Sequence, residues 1–144
     1  MSDLEIIQKC LETGVLLSTG MFEDLDLNSL LSKRDSQEFE TKWIALFNLT
    51  EKITLKEQEV ATINRIRELA YKAAFHGAAD PDLAGYVSDD FEIISKGVAA
   101  QLPDEFLASL FKSYVESKIP VGFDVNSRNE TKEIVKALRE KLSG

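Results

Sequence analysis

TLKEQEVATINRIRELAYKAAFHG, residues 54–77, carries neither Pro nor Gly before its final residue. Thr54-Leu55-Lys56-Glu57 has the form of a capping box: the Thr hydroxyl accepts from the Glu57 amide while the Glu57 carboxylate accepts from the Thr54 amide. Gly77 can turn left-handed without steric cost, which predicts a helix end there. The helix so bounded spans roughly 33 Å at 1.5 Å per residue. At about 100° per residue, Val60, Ile63, Ile66, Leu69, Ala70, Tyr71, Ala73 and Ala74 share an arc of about 200°. So wide an arc requires neighbours on more than one side, and the stretch is expected to be a central helix.

A second broad apolar stretch runs from 103 to 119. Pro103 suits a first helical turn, where its missing amide costs nothing, and Asp104 and Glu105 load the positive end of the dipole. Phe106, Leu107, Leu110, Phe111, Tyr114, Val115 and Ile119 form two adjacent rows, leaving Ser109, Lys112, Ser113 and Glu116 a narrow polar strip. Around these two hubs the remaining segments also read as helices. Ser2-Asp3-Leu4-Glu5 is a capping box followed by Leu4, Ile7, Leu11 and Val15, with an end expected between Gly14 and Ser18. Residues 21–32 suggest a short helix, and Asp35-Ser36-Gln37-Glu38 opens another with Phe39, Trp43, Leu46 and Phe47 as its stripe.

Ala78 to Val87 shows no periodicity and contains Pro81 and Gly85, so it is expected to be a loop. Ser88 is expected to cap the next helix, with Asp89 and Asp90 in its first turn and Phe91, Ile94, Val98 and Leu102 as its ridge. Ile119 to Val125 alternates with period two but has no second strand to pair with, and an isolated strand is unstable. It is therefore expected to be an extended loop whose Val121 and Phe123 plug the core. Ser127-Arg128-Asn129-Glu130 predicts a final capping box before Ile134, Val135, Leu138 and Leu142. The expected fold is all-α: a single domain, residues 1–144, with six to seven helices in an orthogonal or bundle-like array around 54–77 and 103–119.

Composition narrows the function. The chain has 25 acidic against 17 basic residues and a formal net charge of −8. That balance disfavours nucleic acid, whose binding depends on Lys and Arg, and equally disfavours anionic membrane surfaces. No apolar run approaches the ~20 residues needed to span a bilayer. The acidic start, Met1 to Glu5, lacks the basic region of a secretory signal, and Cys10, the single cysteine, has no internal disulfide partner. A cytoplasmic protein is expected. One histidine, His76, is too few for a nitrogen-rich metal site, and its place in the last turn of a helix suits a dipole contact. Cys10 lies at the margin of an apolar face, as a buried, inert thiol would. No cofactor and no metal are expected. Phosphate-loop, dinucleotide, metalloprotease and nucleophile-elbow motifs are absent, and no residue is assigned a catalytic role.

Two places invite a functional reading. The run Asp80, Asp82, Asp89, Asp90 and Glu92 contains no Lys or Arg. With Tyr86 as an aromatic anchor it makes a candidate docking patch for a basic protein, although helix-dipole pairing and a solvated loop explain the same acids. Arg67 points along the apolar arc of 54–77 and must be paired or reach water along its stem. It is either a structural ion pair or the anion anchor of a pocket shared with Tyr71 and Tyr114. Three functions follow. The first is a non-enzymatic acidic module docking a basic partner protein, as an inhibitor, an immunity-like protein or a regulator. The second is a small-molecule-binding domain or enzyme with a pocket near Arg67. The third is a structural protein that self-associates, in the simplest case a homodimer.

Overall fold

The computed structural model describes residues 1–123 and 130–144, and among these every regular element is a helix. In order they are α1 (Asp3–Thr13), a 3₁₀ turn (Thr19–Phe22), α2 (Leu27–Arg34), α3 (Gln37–Glu51), α4 (Glu57–Ala78), α5 (Pro81–Ala100), α6 (Glu105–Val115) and α7 (Thr131–Ser143). The expected all-α bundle-like array is what the chain forms. Helix α1 begins in its capping box, with Ser2 and Glu5 bonded reciprocally, and ends at Gly14 with φ of 81°.

Helix α4 differs from expectation at both ends. It starts two residues late, because the Glu59 carboxylate, rather than that of Glu57, accepts the Lys56 amide at 2.8 Å. Thr54 stays outside while Leu55 is drawn against the core. Gly77 is still helical, and the left-handed residue that ends the helix is Ala79, φ 53°. Gly77 serves packing instead: a Cβ built there would lie 2.5 Å from Cδ2 of Phe22 and 2.9 Å from its Cβ. The whole Phe22 side chain, buried at the 3₁₀ turn, occupies the room a larger residue would need.

The apolar face of α4 is narrower than predicted. Ile63, Ile66, Ala70 and Ala74 are buried, whereas Val60 and Tyr71 are exposed. Its principal partner is α5, with α1 next, so the two expected hubs do not lie side by side. Instead α5 stands between them, packing on α4, α1, α3 and α6. Eleven of its residues are buried, among them Leu83, Val87, Phe91, Ile94 and Val98.

Helix α5 also overturns the expected loop at 78–87. Asp80 caps it by accepting the Leu83 amide at 2.9 Å, and Pro81 takes the first position, where a proline is tolerated. Ser88 is therefore mid-helix and caps nothing; its hydroxyl donates to the Arg67 carbonyl on α4 at 3.1 Å. Helix α6 is shorter than 103–119. Asp104 is its cap, accepting from Leu107 at 2.9 Å, so Pro103 precedes the helix. Beyond it Ile119 and Pro120 are buried, Val121 is half-buried, and Phe123 stacks against Phe106 at 5.9 Å. The predicted box at Ser127 to Glu130 falls outside the described residues apart from Glu130, which precedes α7 without a side-chain cap.

The roles of Gly77 and Ala79 carry opposite signs. Gly77→Ala is expected to destabilise the protein although alanine is the better helix former by about 1 kcal/mol. Ala79→Gly is expected to stabilise it by about 0.5–1 kcal/mol by relieving a left-handed alanine. Urea unfolding of both variants checks the pair of signs.

Candidate functional site

The centre of the molecule holds a charge. Asp90, on the core face of α5 and fully buried, accepts four hydrogen bonds. Arg34 at the end of α2 donates twice, Nη1 to Oδ2 at 2.7 Å and Nη2 to Oδ1 at 2.8 Å. Trp43 Nε1 of α3 donates to Oδ1 at 2.8 Å, and the Tyr114 hydroxyl of α6 to Oδ2 at 2.5 Å. A carboxylate has about four acceptor positions, and all are used. Arg34 also donates from Nη1 to the Pro120 carbonyl at 3.2 Å, and its guanidinium lies 4.5 Å from the Phe39 ring centroid and 5.1 Å from that of Tyr86.

Burial penalises the Arg34 charge, but Asp90 more than compensates, and the guanidinium is held more firmly protonated than usual. The Tyr114 phenol is raised well above its ordinary range, first by burial and then by the Asp90 charge.

Above this network lies a groove of about 310 Å³ between the start of α3 and α5. Arg34, Phe39, Trp43 and Tyr86 line it, with Ile44 exposed at one side and Asp35, Glu40 and Asp89 supplying carboxylates. The Tyr86 hydroxyl donates to Asp35 at 2.6 Å, which ties α5 to the α2–α3 junction. Burial pushes the Asp89 carboxyl above its usual range while Arg67 pulls against it.

The acids singled out in the sequence therefore separate by role. Asp80 caps α5, Asp82 is exposed, and Tyr86 and Asp89 border the groove. Glu92 forms ion pairs with Arg67 and with Lys96. Asp90 belongs to no surface, because its helix starts at Pro81 and places it on the buried face with Leu83, Val87 and Ile94. Arg67 pairs with Glu92 and, at 3.1 Å, with Asp89, so the structural ion pair is present. The hollow beside it, lined by Asn64, Tyr71 and Ser88 among others, is shallow and open. Tyr114 is committed to Asp90 in the core and does not join Arg67 and Tyr71, so the three-residue pocket does not form. Cys10 is buried, with its thiol raised by burial. Exposed His76 lies in the last turn of α4.

Nothing in the local sequence marks Arg34, Asp35, Glu40 or Trp43 as site residues. For Asp90 a signal existed: counted from Pro81, it falls with Leu83, Val87, Ile94 and Val98 on one helical face. Arg34 had only its position at the C-terminal end of a short helix, where a base suits the dipole.

Residues 6–121 match the family model described as Immunity protein PIM1. The chain belongs to this immunity protein family. No individual curated protein matches it. The family match takes in every member of the Asp90 network and the whole groove, and leaves out α7. Among the described residues, no group of His, Cys, Asp and Glu is placed to hold a metal ion, and no helix is long and apolar enough to cross a membrane.

Removing one partner of the buried pair leaves the other uncompensated. Asp90→Ala is expected to cost about 3–5 kcal/mol in urea unfolding. Arg34→Met/Asp90→Ala is expected to cost less than the two single changes summed, with coupling of about 1 kcal/mol or more.

Tyr114 adds a pH dependence. Its folded pKa lies above the unfolded value of about 10, so the stability from the neutral phenol is intact below about pH 10 and declines as pH rises further. Urea midpoints between about pH 8 and 11 are expected to show that decline. Tyr114→Phe flattens it, while lowering stability at pH 8 by about 1–3 kcal/mol through the donor lost to Asp90.

Proposed function

We propose that this immunity protein protects a cell by binding a basic toxin directly, in the cytoplasm and without chemistry of its own. Family membership over residues 6–121 is the observation that carries this reading. The net charge of −8 favours a basic partner by accelerating encounter between opposite charges.

The docking surface in this reading is the face shared by α3, α5 and α4. Ion pairs join these helices across it: Arg67 of α4 reaches Asp89 and Glu92, and Lys96 of α5 reaches Glu51 of α3 at 3.7 Å. Along its middle α5 offers Asp82, Tyr86 and Asp89. Exposed Ile44 lies on one flank, and Val60 with the stacked rings of Tyr71 and Phe75, 6.2 Å apart, lies on the other. Apolar and aromatic anchors beside charged side chains are what a protein interface uses. Asp80 and Asp90 shape the face through a cap and a core network; they do not touch the partner.

A second copy of the chain fits this face poorly, since it would bring like charge against like. A small-molecule site near Arg67 would have a hollow of about 370 Å³ that lies wide open to solvent. Both alternatives therefore rank below a protein partner of opposite charge.

The test is protection of cells that produce the cognate toxin. Glu40→Lys/Asp82→Lys changes only exposed side chains and is expected to alter stability by no more than about 0.5 kcal/mol per site. It is expected to abolish protection and to slow toxin association by about tenfold or more at low salt. Full protection together with unchanged association would overturn the proposed face. Failure of the wild-type chain to bind any toxin it protects against would overturn direct neutralisation.

A further inference from the structure

The α3–α5 groove has a lining chemistry more particular than the acidic face around it. Its volume of about 310 Å³ sits at the small end of ligand pockets, which run from about 300 to 1,000 Å³, and is ample for one long side chain. Half-buried Trp43 and Tyr86 supply flat apolar surface beside the buried Phe39, and Asp35, Glu40 and Asp89 supply negative charge. The one base in the lining, Arg34, has its charge compensated by the two-pronged contact with Asp90. The protein itself shows what such walls hold, because the Arg34 guanidinium already rests against the Phe39 and Tyr86 rings.

We propose that the groove receives one arginine side chain of the partner protein, its guanidinium stacked on the aromatic wall and bonded to Glu40 and Asp89. This rests on the reading of the chain as a toxin-binding immunity protein and names the anchor that the toxin supplies. Arginine fits better than lysine. A planar guanidinium stacks on rings and forks onto carboxylates, whereas a compact, strongly hydrated ammonium does neither as well. Asp89 holds Arg67 through Oδ1 at 3.1 Å, so the incoming guanidinium shares this carboxylate with Arg67 while exposed Glu40 supplies the second.

Trp43 is the only tryptophan and lines the groove, so its emission reports occupancy without a label. The probe is a hexa-arginine peptide, with hexa-lysine as the equally charged comparison, at about 150 mM salt, where charges are screened beyond about 8 Å. A saturable change in Trp43 emission is expected, with hexa-arginine binding about fivefold or more tighter than hexa-lysine. Glu40→Gln/Asp89→Asn is expected to weaken hexa-arginine binding by about tenfold. Glu12→Gln/Glu133→Gln, which removes two exposed charges elsewhere, should leave it within about twofold.

Equal losses in the two double variants, equal affinity for the two peptides, or no saturable change would overturn the groove. Glu40→Gln alone, at an exposed position, keeps the result readable if Asp89→Asn disturbs the Arg67 contact. The peptide measurement uses no toxin. A chain that protects cells yet ignores hexa-arginine therefore loses this anchor and keeps its role, whereas one that binds the peptide but gives no protection loses the role.

Discussion

A carboxylate placed in an apolar core must be neutralised and hydrogen-bonded, or the fold that buries it does not form. Asp90 imposes that constraint on one side of α5. Its acceptor positions are filled by side chains from three helices, so α2, α3 and α6 must all converge on α5 within hydrogen-bonding reach. Burying generic apolar surface is tolerant of small sliding and rotation; a carboxylate bonded at about 2.8 Å is not. The hydrophobic core supplies the bulk of the stabilisation, and the Asp90 network fixes the geometry within which those side chains pack.

The same network sets the shape of the surface above it. Arg34 is held from below by Asp90 and Pro120 and laterally by Phe39 and Tyr86, and Tyr86 is in turn anchored to Asp35. Trp43 is fixed by its indole bond and stacks on Phe47. The groove walls are therefore positioned before any partner arrives, and a preformed site loses less side-chain freedom on binding. Acids with structural duties are largely separated from acids that meet only solvent. Asp80 and Asp104 cap helices, Asp90 is internal and Asp89 pairs with Arg67, whereas Glu40 and Asp82 are exposed.

Much of the fold is legible in the sequence, because most of the helices announce themselves by cap residues and apolar period. The Ser2 box and the stripe from Phe39 to Phe47 translate directly into structure. The misplaced start of α5 has a clear cause. Pro81 and Gly85 look like loop residues, yet proline at a first helical position is permitted and one internal glycine costs only about 1 kcal/mol. A helix starting at Ser88 puts Asp90 in a solvated first turn, whereas one starting at Pro81 puts it among Leu83, Val87 and Ile94. One helix boundary thus separates a surface Asp90 from a core one. Its donors were hidden for a different reason. Arg34 and Tyr114 reach Asp90 from sequence separations of 56 and 24 residues, and local periodicity carries no information about such pairings. Arg67, by contrast, was recognisable as a base that needed partners, although not which acids would provide them.

The most direct test of the buried network is hydrogen exchange at the Trp43 indole, a single NMR signal because the chain has one tryptophan. If its Nε1 proton is bonded to buried Asp90 beneath the groove, exchange requires that bond to open, and the signal should be strongly protected under native conditions and lose that protection in Asp90→Ala. An indole proton that exchanges rapidly under native conditions, while the amides of α5 stay protected, would contradict the network and the preformed groove built on it.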